Sequence, residues 1–383
     1  MIETTRQDAP LSLGPNLPAA LAPCTPAAAT ACLLGLTLPE LTALLAAHGL
    51  ATGHAGALYA AVFVHQATSF AAMTCLPASL RHACTAHFNL ARPPLTQRLI
   101  SQDGTRKYLF DAADGGRFEA VYIPRVGGSR SNTLCISSQT GCAVGCRFCF
   151  TASLTRHRDL SAAELVGQLL AVADDLRPLG AAAVVRNVVF MGMGEPLLNY
   201  HEVVQAARVF LQPSGLGLSR RRVTLSTAGI VPRIHQLGRE LPLQLAVSLN
   251  ASSDAVRSAI MPINKKWPLA VLIDALHAYP HAPRRRFTIE YVLLADVNDR
   301  PEDARRLPEL LAGLPVQVNL LPLNPHDRTP YRAPSPGAVR AFQANLRAAG
   351  LHALVRTPRG QDIAAACGQL GVSGASAPSS LAG

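Results

Sequence analysis

From residue 134 onward the chain alternates short apolar runs with longer segments of helical character. The short runs are Leu134–Ser138, Asn187–Met191, Arg222–Ser226, Gln244–Ser248, Phe287–Val292 and Gln317–Leu321. Their length and their content of Val, Ile, Leu and Phe mark them as buried strands. The segments between, for example Ser161 to Leu176 and Pro301 to Leu311, are long enough for the crossover helices that parallel strands require. Six such β/α units predict an α/β fold built on a partial (βα)6 parallel barrel. Chemistry in that architecture belongs to the loops after the C-terminal strand ends.

The pattern ahead of this core is different. Between Leu38 and Phe88, runs such as Pro39–His48 and Gly56–His65 repeat apolar residues at helical spacing, which predicts a small helical accessory domain over residues 31–93. From Thr96 to Pro124 strand-like runs are punctuated by Asp103-Gly104 and Asp114-Gly115-Gly116, which are hairpin signals, so 94–130 reads as a β-hairpin extension. Residues 1–30, rich in Pro, Ala and Thr without periodicity, read as a flexible tail, and the residues from Ser373 are similar. The barrel is expected over 131–360 and a C-terminal segment over 361–383, with no internal repeat.

Composition narrows the class. A chain of 383 residues that is 49% hydrophobic can bury a large core. The N-terminus is acidic and polar where a signal peptide would be basic and then apolar, and Pro39 and Glu40 break the most apolar early stretch. Neither export nor a membrane span is expected. Nine cysteines, partly clustered, fit a reducing cytoplasm better than a disulfide scaffold. A net charge of +11 favours a polyanionic partner such as RNA, although a chain whose lysines are only Lys107, Lys265 and Lys266 can also owe its arginines to gene base composition. The clusters Arg220–Arg222, Lys265–Lys266 and Arg284–Arg286 are either phosphate contacts or solvated faces.

Cys142, Cys146 and Cys149 form a C-x3-C-x2-C triplet directly after the first barrel strand. One loop with that spacing can give three thiolates to a cubane iron-sulfur cluster and leave one iron open to chelate S-adenosylmethionine. Nine scattered cysteines would produce the spacing by chance in about one chain in two hundred of this length. A zinc site completed by Cys135 or His157 is the alternative, yet zinc sites usually pair C-x2-C units. Gly192-Met-Gly-Glu-Pro196 follows a buried strand, where glycines let backbone approach a ligand and Glu195 can accept hydrogen bonds from an ammonium group.

Several separate stretches resemble the RlmN/Cfr family of radical S-adenosylmethionine RNA methyltransferases. They are Glu119–Pro124, Leu134–Cys142, the triplet, Phe190–Asn199, Pro262–Lys266, Asn319–Pro325 and Arg359–Leu370. The resemblance implies a barrel of radical SAM type, a 4Fe-4S cluster on Cys142, Cys146 and Cys149, and S-adenosylmethionine as cosubstrate. Gly194, Glu195, Ser226, Ser248, Leu249, Asn250 and Asn324 match its cofactor-binding positions, with Asn250 standing where the family usually has His. Phe150 stands where a small residue is usual.

The resemblance also implies a mechanism. An adenine ring carbon is a poor nucleophile, so Cys367 first takes a methyl group from one S-adenosylmethionine. A 5′-deoxyadenosyl radical from a second removes hydrogen from that methyl, and the resulting methylene radical joins the adenine carbon. Cys135 then attacks the Cys367 sulfur and releases the product as a disulfide forms, which external thiols reduce. Glu119 matches the proposed proton acceptor. The implied activity is methylation of an adenosine ring carbon in rRNA or tRNA, carbon 2 as the commoner family activity, with an electron donor as partner and a monomer expected. Carbon 8 methylation, another substrate, and a non-catalytic metal-bearing RNA-binding protein are the alternatives. The small-residue context of Cys367 suggests a mobile segment. Through Cys84 only Arg6 and Arg81 are cationic, which gives the helical region little charge with which to hold RNA.

Overall fold

The computed structural model describes residues 30–112, 114–125, 131–280, 282 and 285–371. The expected tails, 1–30 apart from residue 30 and the residues from Ser373, and Arg284 of the last basic cluster lie outside these residues.

Three helices, α1 (Leu38–Ala47), α2 (Ala55–Phe63) and α3 (Ala78–His87), make up the N-terminal region, closed by a short parallel pair, β1 (Ala31–Cys32) with β2 (Phe88–Asn89). Helix α1 starts where the sequence provides a capping box: the Thr37 N–H donates to Glu40 Oε2 at 2.8 Å, with Pro39 in the first turn. This region does not stand apart. Leu33, Leu58, Tyr59 and Phe63 belong to the same apolar core as the barrel, and Arg92 pairs with Asp174 at 3.0 Å.

The central sheet has ten strands. β3 (Leu95–Ile100), β4 (Arg106–Asp111) and β5 (Arg117–Ile123) form an antiparallel meander, and β5 pairs antiparallel with β6 (Asn132–Cys135). The hairpin extension is therefore one edge of the barrel sheet. From β6 the sheet is parallel and runs in chain order through β7 (Val185–Phe190), β8 (Val223–Thr227), β9 (Gln244–Ser248), β10 (Phe287–Leu293), β11 (Val316–Pro322) and β12 (Ala353–Val355). The first six are the strands read from the sequence. β12, a three-residue parallel strand, was too short to leave a pattern. β6 and β12 do not pair, so the sheet stays open, as a partial barrel requires.

Crossover helices fill the intervals: α4 (Ala162–Leu176), α5 (Tyr200–Leu211), α6 (Val231–Glu240), α7 (Asp254–Ile260) with α8 (Leu269–His277), α9 (Pro301–Leu310) and α10 (Pro336–Ala348). Helix α4 begins at a second capping box, Ser161 with Glu164, and Arg158 grips the same carboxylate at 2.7 and 2.9 Å. Alternation sets which side chains reach the barrel interior. In β10, Phe287, Ile289, Tyr291 and Leu293 are buried on one face, while Glu290 and Val292 point to the interior pocket.

Candidate active site

The cysteine loop crosses the C-terminal ends of four strands. Val144 and Phe148 bury into an apolar cup with Ala228, Ala251, Leu294 and Leu323, each of which directly follows β8, β9, β10 or β11 or lies a few residues beyond. The Arg147 N–H donates to the Ile260 carbonyl at 2.9 Å. Cys142, Cys146 and Cys149 pack partly buried against this cup and face one pocket of about 180 Å³.

Gly194, Glu195, Ser226, Ser248, Asn250, Asn324 and Cys367 line the same pocket, so most of the residues singled out in the sequence converge. The fit is close around the Gly192–Glu195 turn. A Cβ on Gly192 would lie 2.7 Å from the Ile136 and Ser137 backbone, and Gly194 adopts φ +98° with Gln139 at 2.6 Å from any Cβ. Glu195 accepts from the Leu197 N–H at 3.0 Å and the Ala228 N–H at 2.7 Å, while its own N–H donates to Gln139 Oε1 at 2.8 Å. Burial, opposed by these donors and the Thr227 hydroxyl, pushes its carboxyl up to about 7.

Leu249 is placed differently, and Asn250 and Asn324 spend part of their polar groups on the protein itself. Leu249 is buried and does not line the pocket; its N–H donates to the Glu290 carbonyl at 3.0 Å and its own carbonyl accepts from Arg257 Nε at 2.9 Å. Asn250 sits at φ +59°, with Oδ1 accepting from the Val292 N–H at 2.8 Å, so its side chain chiefly fixes backbone. Asn324 Nδ2 donates to the Cys367 carbonyl at 2.9 Å and its Oδ1 accepts from Gln361 at 2.8 Å, which holds the Cys367 turn over the pocket.

The C-terminal segment is strapped down rather than loose. The β3–β4 turn and β4 grip it: Arg359 Nε reaches Asp103 Oδ2 at 2.7 Å, Ser101 Oγ donates to Asp362 at 2.6 Å, and Lys107 Nζ, in β4, donates to the Ala364 carbonyl at 3.3 Å. The Phe150 N–H donates to the Gly368 carbonyl at 2.8 Å, and the Thr151 hydroxyl donates to the Leu370 carbonyl at 2.8 Å. The small residues that suggested mobility, Gly360 and Gly368, are instead turn formers with positive φ, as is Gly371. Phe150 packs its ring edge-on against His326 at 5.7 Å, beside this strap rather than in the pocket lining.

Cys367 is open to the pocket, where confinement and the Glu290 carboxylate push its thiol up to about 11. Cys135 is buried at the end of β6, and burial together with Cys367 raises its thiol well above the ordinary range. Cys367, 232 positions further along the chain, is one of the groups that raise the Cys135 thiol. Glu119, opposite Leu109 in the β4–β5 ladder, accepts from the Gly371 N–H at 3.1 Å and lines an adjoining cavity of about 560 Å³ with Arg117, Thr140, Arg156 and Met193.

Two residues important to this geometry were not anticipated. Glu290, on the inward face of β10, was legible from alternation in Phe287–Val292. Arg257 was not legible. Wholly buried, its guanidinium donates to the carbonyls of Leu249, Ala228 and Ser248 and to Asn264 Oδ1 at 2.7–3.1 Å, tying together the ends of β8 and β9, and burial lowers it to about 10.

The Radical SAM superfamily profile matches residues 136–307. The chain is 45% identical over 350 residues to a "Dual-specificity RNA methyltransferase RlmN" of Cereibacter sphaeroides, covering 88% of both chains. It is 46% identical over 338 residues to the protein of that name from Geobacter sulfurreducens, covering 88% of this chain and 91% of the other. The chain belongs to the RlmN family of radical SAM methyltransferases. A solved radical SAM methyltransferase from Sphaerobacter thermophilus superposes with a TM-score of 0.82 at 40% identity, covering 88% of this chain and 98% of that one.

Family membership makes this chain a methyltransferase whose cofactors are a 4Fe-4S cluster and S-adenosylmethionine. The pocket fits both. Among the described residues no three His, Cys, Asp or Glu gather tightly enough to hold a single metal ion, whereas three cysteines are arrayed on one loop against a dry apolar wall. Thiolates become stable in such a cup beside bound iron, and three cysteines on one loop that leave a position open suit a cubane better than a structural zinc with four protein ligands. Glycine backbone, the Glu195 carboxylate and the Ser226 and Ser248 hydroxyls offer the polar surface an amino-acid and nucleoside ligand needs. No helix among the described residues is long and apolar enough to cross a membrane.

Proposed function

We propose that this chain methylates a ring carbon of adenosine in rRNA or tRNA, carbon 2 in preference to carbon 8, through an S-methylcysteine on Cys367. The observation that carries the reading is the placement of two non-ligand cysteines: Cys367 faces the pocket shared by Cys142, Cys146 and Cys149, and strand β5, which pairs with Cys135, also holds Gly371, four residues after Cys367. A purely metal-bearing binding protein has no use for that pair. The RNA substrate rests on the relatives' activity as their name gives it, and the carbon 2 preference on the family resemblance of the sequence motifs alone.

When bound, the cluster and S-adenosylmethionine would supply one-electron reduction, hydrogen abstraction from carbon and an acceptor for the single electron left once the ring carbon has lost its proton. Cys142, Cys146 and Cys149 hold the cluster; Gly194, Glu195, Ser226, Ser248, Leu249, Asn250 and Asn324 form or brace the S-adenosylmethionine site. Cys367 accepts the methyl group and carries it to the adenine. Glu119 takes the proton that leaves the ring carbon, burial having raised its carboxyl and with it its basicity. Cys135 then bonds to the Cys367 sulfur as the sulfur–carbon bond breaks; the electron pair leaves with the carbon, which takes up a proton to become methyl. External thiols reduce the disulfide.

Mass spectrometry of nucleosides from reconstituted enzyme and unmodified RNA tests this reading. Appearance of 2-methyladenosine is expected; 8-methyladenosine moves the assignment to the other carbon, and no methylated adenosine with an intact cluster and cleaved S-adenosylmethionine points to another substrate.

A further inference from the structure

Two arginine clusters far apart in sequence meet in one cleft. Arg220, just before β8, and Arg285 and Arg286, just before β10, line a cleft of about 300 Å³ with Leu243, Tyr279 and Phe287. All of these positions lie at the N-terminal ends of the parallel strands, whereas the pocket of the three cysteines lies at the C-terminal ends. A seven-residue strand such as β10 puts about 23 Å between them. The cleft is therefore separate from the active site.

Among the described residues the arginines here have no carboxylate partner. Elsewhere Arg98 and Arg106 share Asp175, Arg158 holds Glu164 and Arg208 holds Glu240. Among the described residues, Arg186, Arg220, Arg221, Arg285 and Arg286 make no ion pair with any carboxylate. Arg186, Arg220, Arg221 and Arg286 are exposed, and Arg285 is half-buried beside Tyr279. They also form a row. In sheet order β7, β8, β9, β10, Arg186 stands at the start of β7, Arg220 and Arg221 before β8, and Arg285 and Arg286 before β10, a span of about 14 Å at the usual strand spacing. A row of unpaired guanidinium groups matches successive phosphates of a phosphodiester chain; a lone phosphate needs only one or two of them. The other basic pair, Lys265 and Lys266, follows α7 near the cysteine loop and belongs to the opposite end.

We infer that the N-terminal rim of the barrel is a second RNA-binding surface, which holds the phosphate backbone of a folded RNA at a distance from the adenosine being modified. This rests on the reading that the substrate is RNA. It also answers the low charge of the helical region, because the cationic surface lies on the barrel instead.

The test uses the full-length holoenzyme and a triple variant, Arg220→Gln/Arg285→Gln/Arg286→Gln, with Arg340→Gln as a control for bulk charge. Cluster absorbance and S-adenosylmethionine affinity, measured first, are expected unchanged. Binding of a complete tRNA transcript and of a hairpin too short to reach past 23 Å is then followed against salt. For the tRNA, the slope of log affinity on log salt should fall by about two to three units in the triple variant, at roughly 0.7–0.9 per lost phosphate contact. The hairpin should bind and be methylated as before. An unchanged tRNA slope overturns the inference, as does displacement of tRNA from the wild type by low-millimolar inorganic phosphate at one site, which would make the cleft a small-anion site. If wild type methylates neither RNA yet the triple variant still loses the slope, the catalytic reading fails and the rim stands.

Discussion

Lys107 Nζ stands 3.4 Å from Glu119 Oε1 on adjacent antiparallel strands, with both side chains almost wholly out of water. The same ammonium group donates to the Ala364 carbonyl and the same carboxylate accepts from the Gly371 N–H, three residues before and four after Cys367. Meanwhile β5, which carries Glu119, pairs Val121 with Cys135. One hairpin thus fixes the strand that holds Cys135 and the strap that holds Cys367.

Lys107→Met should therefore destabilise by about 3 kcal/mol, because it leaves a buried carboxylate without its cation. Glu119 is already raised by burial, and losing Lys107 raises it further. The variant then takes up a proton on folding, so its stability should fall as pH rises from the ordinary carboxylate range through the raised folded value. Denaturant titrations across pH check this. Adding Glu119→Gln should restore most of the loss; a double variant no more stable than the single would contradict the pairing.

The release step should depend on base. Burial and Cys367 both push the Cys135 thiol far above the ordinary range, so at neutral pH little thiolate is present to attack. Single-turnover release of product from the Cys367 adduct should accelerate by close to tenfold per pH unit between about 7 and 9. A flat profile, with adduct formation shown to be faster than release, would mean that another group activates the thiol.

Gly192→Ala should abolish S-adenosylmethionine binding and destabilise by about 2–4 kcal/mol, since its Cβ would collide with backbone that cannot move without breaking the β6 end. Gly56→Ala is the matched control: its Cβ meets nothing within 4 Å in α2, and the change should stabilise by up to about 1 kcal/mol. Thermal unfolding and isothermal titration separate the two; equal effects would mean that the turn is not close-packed.

Arg257→Met should cost about 3–5 kcal/mol, because the carbonyls of Ala228, Ser248 and Leu249 lose their donor in a site water does not reach. Chemical denaturation measures it. A loss under about 1 kcal/mol would show that the strand ends hold themselves.

The barrel was legible because burial on both faces of parallel strands leaves continuous apolar runs, as in Gln244–Ser248 and Gln317–Leu321. β12 escaped because three residues, Ala353–Val355, carry no period. Cys142, Cys146, Cys149 and the Gly192–Glu195 turn were legible as local spacing. Arg257 was not, because nothing next to it in the chain shows that its partners are carbonyls at the ends of β8 and β9. Neither was the strap: Asp103 with Arg359, and Ser101 with Asp362, join positions more than 250 residues apart.

The central claim is that Cys367 carries the methyl group and Cys135 releases the product, and it is tested most directly by mass spectrometry of the two alanine variants after reaction with RNA under anaerobic reducing conditions. Cys135→Ala should accumulate a covalent protein–RNA species, nuclease-sensitive and joined by one methylene bridge at Cys367, while Cys367→Ala should show neither adduct nor protein-bound methyl despite a full cluster. Both variants releasing free methylated RNA, with no adduct in either, would contradict the account.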